Sequence, residues 1–273
     1  MSISAPYDPL KATEQFYTMV KSVREFDKTE VRGVIRTLLS KTDREECFIG
    51  TYYRSAANVE TLLALKSAKH CQAISMLARA LFELAVDIRL IDVLPDGPAK
   101  MIAFSDVDKL RAARKIVKFK AAHPNATFDL ATHDSFIKDN RQRIDATRGT
   151  LWPALEKGRA LLHWSGQGLA SRVTLVGSPF DEIYEVHYPR LSWHVHSGLT
   201  GIVNLEAEVF TVMCGIAFKV APDSFQETLL TMIRQFKIGK ATENIEEKLM
   251  AAKMLPFTDS PEQAQQLLRA LGL

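Results

Sequence analysis

The chain has 273 residues, 47% of them hydrophobic and 25% charged, and its formal net charge is +3 at pH 7. These values are ordinary for a soluble globular protein, and the mild net charge neither demands nor excludes a nucleic-acid partner. The three cysteines (Cys47, Cys71 and Cys214) are scattered and odd in number. Their spacing argues against a disulfide framework or a zinc ribbon and favours a reducing cytoplasmic location.

No targeting or membrane segment is predicted. The first six residues lack a basic region followed by an apolar run, so a signal peptide is not expected. The most apolar stretch, Ile202–Val220, contains Asn204, Glu206, Glu208 and Lys219. The cost of such groups at bilayer depth favours a helix buried inside a bundle over a membrane span.

Helical patterns dominate the N-terminal half, with helices predicted over about residues 9–23, 28–40, 42–66 and 68–93. Asp8 is suited to cap the first helix, and Thr42 with Glu45 matches a capping box. The fourth helix is the most helix-favouring segment and carries a broad apolar stripe. A turn at residues 95–98 should end it.

The C-terminal half is predicted to contain helices over about residues 99–121, 132–147, 202–220, 223–240, 243–254 and 260–271. Residues 151–179 are less regular, Pro179 could open a helix capped by Ser178, and Pro189 a further one. Pro222 with Asp223 is typical of a turn. The sequence therefore predicts an all-α multi-helix bundle over residues 1–240, followed by a short helical appendage over residues 241–273.

Three charged residues, Arg79, Glu83 and Asp87, recur every fourth position on the apolar helix 68–93. Such spacing places them on one helix face. They could form an ordinary solvated stripe of ion pairs. Because the helix is apolar around most of its girth, we favour a row that points into a polar pocket.

The stretch from Tyr184 to His196 holds three of the seven histidines. On a helix the side chains of His194 and His196 point in different directions, so they do not form a pair of metal ligands, and neither metal nor cofactor is predicted. A metal site made of carboxylates and histidines is kept as a hypothesis behind the two functions given below. Arg190 and His196 instead match an arginine, five residues, then a histidine. Such a pair can cleave RNA without metal, or His196 can be a structural histidine.

Two further segments could contribute to a site. His163, Trp164, Ser165 and Gly166 follow a predicted helix, and His163 could face the charged row. A basic run occupies one helix and is the best candidate for a phosphate-backbone contact: Lys109, Arg111, Arg114, Lys115, Lys118 and Lys120.

These motifs together resemble the bacterial family catalogued as domain of unknown function 5677, over about residues 52–220. The resemblance is carried by three patterns: Arg79-x-x-x-Glu83-x-x-x-Asp87, His163-Trp164-Ser165-Gly166, and Tyr184-x-x-x-Tyr188-x-x-Leu191-Ser192-x-x-x-His196. It implies a helical fold and no established activity.

A looser similarity is to HEPN domains, helical bundles found in toxin and abortive-infection ribonucleases, whose signature is an arginine, four to six residues, then a histidine. Arg190 and His196 match that spacing, although Leu191 stands where a polar residue commonly follows the arginine. The similarity implies RNA as substrate, a role in phage defence, and an active site built across a homodimer.

The predicted site joins the charged row to the later motifs. As an endoribonuclease, the chain would use His196 as general acid/base, Arg190 as phosphate stabiliser and Glu83 as an orienting group. Binding residues would be Arg79, Asp87, His163, Trp164, Tyr188 and Ser192. The alternative is a non-enzymatic ligand-binding or regulatory module with the same polar pocket.

Overall fold

The computed structural model describes residues 8–39, 42–65, 67–127, 129–154, 160–193, 207–239, 244–258, 260, 262–264 and 266. Within these ranges every regular element is helical and no strand occurs, which confirms the predicted all-α bundle. One large core joins helices from both halves of the chain.

The first helical run is longer than the sequence indicated. α1 (Pro9–Phe26) begins at the predicted cap, where the Asp8 carboxylate accepts from the backbone N–H of Leu10. It passes without a break through a π-helical turn (Asp27–Val31) into α2 (Arg32–Thr37), where two separate helices were expected. A π-turn holds one more residue than an α-turn, and this one places Asp27 in the interior.

α3 (Asp43–Ala64) and α4 (Cys71–Val93) form the centre of the bundle, with a 3₁₀ turn (Ala68–His70) between them. Both bonds of the predicted Thr42–Glu45 capping box are present at the start of α3. α4 packs against α3 and against three helices from later in the chain, which span Leu169–Val176, Tyr188–Trp193 and Ala207–Phe236, so it is surrounded on most sides.

α5 (Gly97–Ala122) and α6 (Ala131–Leu151) pack against each other beside this centre. They enclose a smaller core of their own, made of Val107, Leu110, Ile144, Trp152 and Leu161. The expected turn at 95–98 is shorter than predicted because Pro98 occupies the first turn of α5.

The next segment returns to α4. α7 (Leu169–Val176) lies in the region expected to be irregular, and a second run comprises α8 (Phe180–Glu182), a π-turn (Ile183–His187) and α9 (Tyr188–Trp193). Ser178 makes no capping bond, so that prediction was wrong. Pro189 begins no new helix either, because it falls within the first turn after the π-turn, where the helix continues.

α10 (Ala207–Phe236) corrects the predicted turn at Pro222, which lies inside one continuous helix. Both Val220 and Phe225, on either side of the proline, are buried in the main core. Packing against α1 and α4 on both sides holds the helix together across the missing N–H.

α11 (Ile245–Met254) follows, with Asn244 as its cap, and ends in a 3₁₀ turn (Leu255–Phe257). Ile245 and Leu249 belong to the main core, and α11 packs on α1. A division of the chain at residue 240 stays a prediction. The helix expected at 260–271 lies largely outside the described residues.

A buried charged cluster, absent from the sequence predictions, ties α1 to α3. Arg24 and Asp27 are fully buried and paired with each other, and the Arg24 guanidinium also pairs with Glu60. The Tyr52 hydroxyl donates to Asp27 Oδ1 at 2.6 Å. Burial raises the pKa of Asp27, which the Tyr52 hydrogen bond and Arg24 oppose by stabilising its ionised form.

We expect Tyr52→Phe to lower the free energy of unfolding by about 1.5–3 kcal/mol at pH 7, because a buried carboxylate loses its donor. The loss should shrink as the pH falls through the raised pKa of Asp27, since the protonated carboxyl needs that donor less. Urea unfolding at several pH values measures both effects. Tyr53→Phe, at a half-exposed neighbouring ring, should be nearly neutral. Equal losses in the two variants would contradict the assigned role of the Tyr52 hydroxyl.

Candidate functional site

The charged row on α4 is present, and its members meet side chains from the segment 163–188. Arg79, Glu83 and Asp87 are each partly buried. They form two neighbouring groups, one around Glu83 and one around Asp87, about 6 Å apart along the helix axis. The ordinary ion pair considered from the sequence is present between Arg79 and Glu83, and a polar pocket facing the row stays a prediction.

The first group joins α4 to α9. Arg79 Nε donates to Glu83 Oε1 at 2.9 Å, and the Tyr188 hydroxyl donates to the same oxygen at 2.7 Å. The Arg79 guanidinium lies over the Tyr188 ring, 4.9 Å from its centroid. Burial and the Glu83 carboxylate raise the pKa of Tyr188, so its hydroxyl stays protonated and remains a donor at neutral pH.

The second group joins α4 to α7 and to the loop before it. Arg172 Nη1 pairs with Asp87 Oδ1 at 2.7 Å, and His163 Nε2 lies 3.2 Å from the Asp87 carboxylate. The backbone N–H of Ser165 donates to His163 Nδ1 at 3.2 Å. Arg172 Nη1 also lies 2.9 Å from His163 Nε2, so that nitrogen faces both the Asp87 carboxylate and a guanidinium donor.

The Ser165 hydroxyl lies 2.8 Å from His163 Nδ1, so Asp87, His163 and Ser165 stand in the order of a hydrolytic triad. That hydroxyl is committed to the loop, because it also accepts from the backbone N–H of Gln167. Ser165 is only 5% exposed. The contacts among Asp87, His163 and Ser165 therefore hold the imidazole and the loop in place and do not present a nucleophile to solvent.

Trp164, expected to bind substrate, has the contacts of a core residue. It is 4% exposed, and its carbonyl accepts from Trp152 Nε1 at 2.8 Å. Gly166 closes this loop at a φ of +76°, and a Cβ there would lie 3.0 Å from the Trp152 ring. Glycine is required by both the conformation and the space.

The α9 residues differ in their surroundings. Tyr188 faces α4, whereas the Ser192 hydroxyl donates to the Tyr188 carbonyl at 2.9 Å, within its own helix. Arg190 is exposed to solvent. His194 and His196 lie outside the described residues, so the predicted pairing of Arg190 with His196 stays a prediction.

Arg172 is the site residue that the sequence reasoning missed. It is 5% exposed and contacts both Asp87 and His163. Its helix, α7, falls in the glycine-rich stretch expected to be irregular. The signal available was an arginine among apolar neighbours (Leu169, Val173 and Val176), which is typical of a buried helix face holding one charge.

The basic run on α5 forms one wall of a cavity of about 290 Å³. Its floor is apolar and comes from the smaller core, and Asp145 of α6 is its one carboxylate. The basic side chains that line it are Arg111, Arg114, Lys115, Lys118 and Arg148. We call this cavity the basic groove. Lys109 and Lys120 are not among its lining residues.

The basic groove is tied to the loop that carries His163. Arg111 Nη1 donates to the carbonyl of Leu161 at 2.9 Å, two residues before His163. Asp145 pairs with Arg114 at 2.9 Å. Arg111 also pairs with Asp108, just outside the groove. Five basic groups against these two carboxylates leave the groove with a net positive charge, which is suited to an anionic ligand.

Among the described residues, no three histidine, cysteine or acidic side chains are arranged to hold a metal ion. In the same part of the chain, no helix combines the length and the apolar character that crossing a membrane requires. All three cysteines are buried free thiols.

Residues 46–208 match the model of a family described as Family of unknown function (DUF5677). The match covers more than half of the chain, which therefore belongs to this family, as its motifs indicated. No curated protein matches the chain. No solved structure matches it either.

We expect Asp87→Ala to lower the free energy of unfolding by about 3 kcal/mol, because Arg172 would be left buried without its counter-ion. The matched control is Asp92→Ala on the same helix, whose partners are at the surface, with an expected loss below about 1 kcal/mol. Chemical denaturation measures both. A double variant, Asp87→Ala with Arg172→Met, should recover much of the loss. A loss for Asp87→Ala no larger than the control's would contradict the assignment.

Proposed function

We propose that this protein is an RNA-binding, HEPN-like endoribonuclease that works without a metal ion, and that it acts in phage defence or a toxin system. The observation that supports it best is the basic groove, whose apolar floor and five cationic side chains suit a sugar-phosphate chain. Phosphate contacts would position the RNA, and a separate pair of residues would cleave it.

The proposed chemistry needs only side chains and the RNA itself. His196 would take the proton of the 2′-hydroxyl and return a proton to the leaving oxygen, since a histidine titrates near neutral pH. Arg190 would stabilise the charge that develops on the phosphate. The exposure of Arg190 is consistent with contact to a large substrate.

Glu83 would act through Tyr188 rather than on the RNA. It accepts the Tyr188 hydroxyl, and that contact fixes α9, which carries Arg190 two residues further on. The chain of contacts from the basic groove runs through Leu161 and His163 to Asp87, one turn of α4 from Glu83. The groove and α9 are therefore both linked to α4, the groove through the loop at 161–163 and α9 through Tyr188.

The cleavage test uses the purified full chain and a fluorescent single-stranded RNA in excess EDTA. Cleavage should proceed, and His196→Ala should reduce its rate by about 100-fold or more, because the general acid/base is lost. His194→Ala, a histidine two residues away, is the matched control and should retain activity. Equal rates for the two variants, or activity that EDTA abolishes, would refute the proposed mechanism.

The groove is tested by RNA affinity at several salt concentrations. Lys115→Glu with Lys118→Glu should weaken binding and reduce the slope of log affinity against log salt by about 1.4, since two phosphate contacts are lost. Lys11→Glu with Lys21→Glu on α1 makes the same charge change on exposed lysines elsewhere. Equal weakening in both double variants would mean that only net charge matters.

A homodimer is part of the same proposal, because HEPN-type sites are completed across two chains. Light scattering coupled to size exclusion should give twice the chain mass of 30.6 kDa. A monomer that still cleaves RNA would separate the activity from the dimer.

The second candidate is a non-enzymatic binding or regulatory module. One observation favours it: most polar atoms of the Arg79–Glu83–Tyr188 and Asp87–Arg172–His163 groups pair with one another, although Arg79 Nη1 and Arg172 Nε have no partner among the described residues. Paired polar groups of this kind can fix the positions of helices and loops at a binding surface without taking part in a reaction. RNA binding that depends on Lys115 and Lys118, with no cleavage under any condition, would support this candidate over the nuclease.

A further inference from the structure

A second cavity, of about 280 Å³, is separate from the basic groove. Part of its lining comes from residues just before and within the π-turn Ile183–His187. It opens between the α8 run, α10 and α11. Its polar lining residues are Glu182, His187, Lys219, Asp223, Gln226, Glu227 and Lys253. We call it the α10 pocket. Its size, just below the ~300–1,000 Å³ of typical small-molecule sites, suits a small ligand.

Two contacts form within the α10 pocket, and one of them is an ion pair. Lys253 pairs with Asp223 at 2.5 Å, linking α11 to α10. Lys219 Nζ donates to His187 Nε2 at 3.2 Å. An ammonium donor at Nε2 requires a lone pair there, so the proton of the neutral imidazole is on Nδ1.

The neutral form of His187 is favoured by its surroundings. Burial and the neighbouring Lys219 lower the pKa of His187, with Arg190 adding to the effect. Its Nδ1 is buried and finds no hydrogen-bond partner among the described residues. His187 Nδ1–H is thus an unused donor on the side of the ring away from Lys219, and the Lys219 ammonium group has two more N–H bonds to offer.

Unused acceptors line the same pocket. Gln226 is 5% exposed, and its Nε2 donates to Met250 Sδ at 3.0 Å, while its Oε1 has no partner among the described residues. The Glu227 carboxylate makes no ion pair there either. Burial raises the pKa of Glu227, and this effect outweighs the neighbouring positive charges of Arg89, Arg234 and Lys253, which lower it.

We propose that the α10 pocket binds a free α-amino acid in its zwitterionic form. Glu227 and Gln226 Oε1 accept from the ligand's ammonium group, and Lys219 donates to its carboxylate. Both charged groups of the ligand then meet partners of the opposite polarity. This proposal does not rest on the ribonuclease assignment.

Other ligand classes fit the lining less well. A phosphate-bearing ligand would face Glu182, Asp223 and Glu227, and like charges cost binding energy. A lone metal cation would meet the ammonium groups of Lys219 and Lys253. Only a ligand with both charges uses the donors and the acceptors together.

The first test is a thermal-shift screen of the purified chain against each of the twenty amino acids, followed by titration calorimetry. At a concentration 100-fold above Kd, a bound amino acid should raise Tm by about 5–10 °C. For the best amino acid, the amine lacking its carboxylate and the acid lacking its ammonium should each bind at least tenfold more weakly. No shift with any amino acid, or equal binding of an analogue with one charge, would overturn the proposal.

The second test places the ligand in this pocket. Glu227→Gln and Lys219→Met should each raise Kd about 10- to 100-fold, because one charged partner is removed. Glu14→Gln and Lys21→Met make the same changes at exposed positions of α1 and should leave Kd unaltered. The melting temperature without ligand is measured first for every variant. Unchanged affinity in the two folded pocket variants would overturn the assigned site, and the analogue comparison, which uses the natural chain alone, decides the ligand class whatever their stability.

Discussion

The structure depends on one constraint, which is that a central helix of the bundle carries a row of three charged side chains along one face. α4 is packed by other helices on most sides, yet Arg79, Glu83 and Asp87 stand in a row along it. A charge that leaves water must find a partner, so the chain between α6 and α10 returns to α4. Tyr188 and Arg172 close the two ends of that row, and the path of the segment 163–193 follows from the need to bring them there.

Much of this arrangement could be predicted from spacing alone. The four-residue repeat placed the charged row on one helix face, and the apolar girth of that helix indicated that the row would seek partners. The capping patterns at Asp8 and Thr42 gave two helix starts correctly. His163 and Tyr188 were expected beside the row and lie there, because polar side chains flanking apolar helices have few other places to be satisfied.

The remainder depends on tertiary contacts that no local pattern encodes. Pro222 signals a turn in any isolated segment, but burial on both flanks keeps α10 helical. No local pattern marks Arg24 for burial; Asp27 three residues later, together with Tyr52 and Glu60 of α3, makes its burial possible. The role of Arg172 could not be predicted for the same reason, because its partner carboxylate, Asp87, lies 85 positions earlier in the sequence.

The π-turn at Ile183–His187 has a consequence for how this helix tolerates change in length. A π-turn is a helix with one residue inserted, so everything after it is rotated by about 100° relative to an unbroken helix. Tyr188 and Leu191 face the bundle only in that rotated register. A deletion of one residue here would straighten the helix and carry both side chains away from α4, whereas the same deletion in the loop after α5 would merely shorten a connection. The segment 183–187 therefore determines which face of α9, and so which of its polar side chains, is turned toward α4.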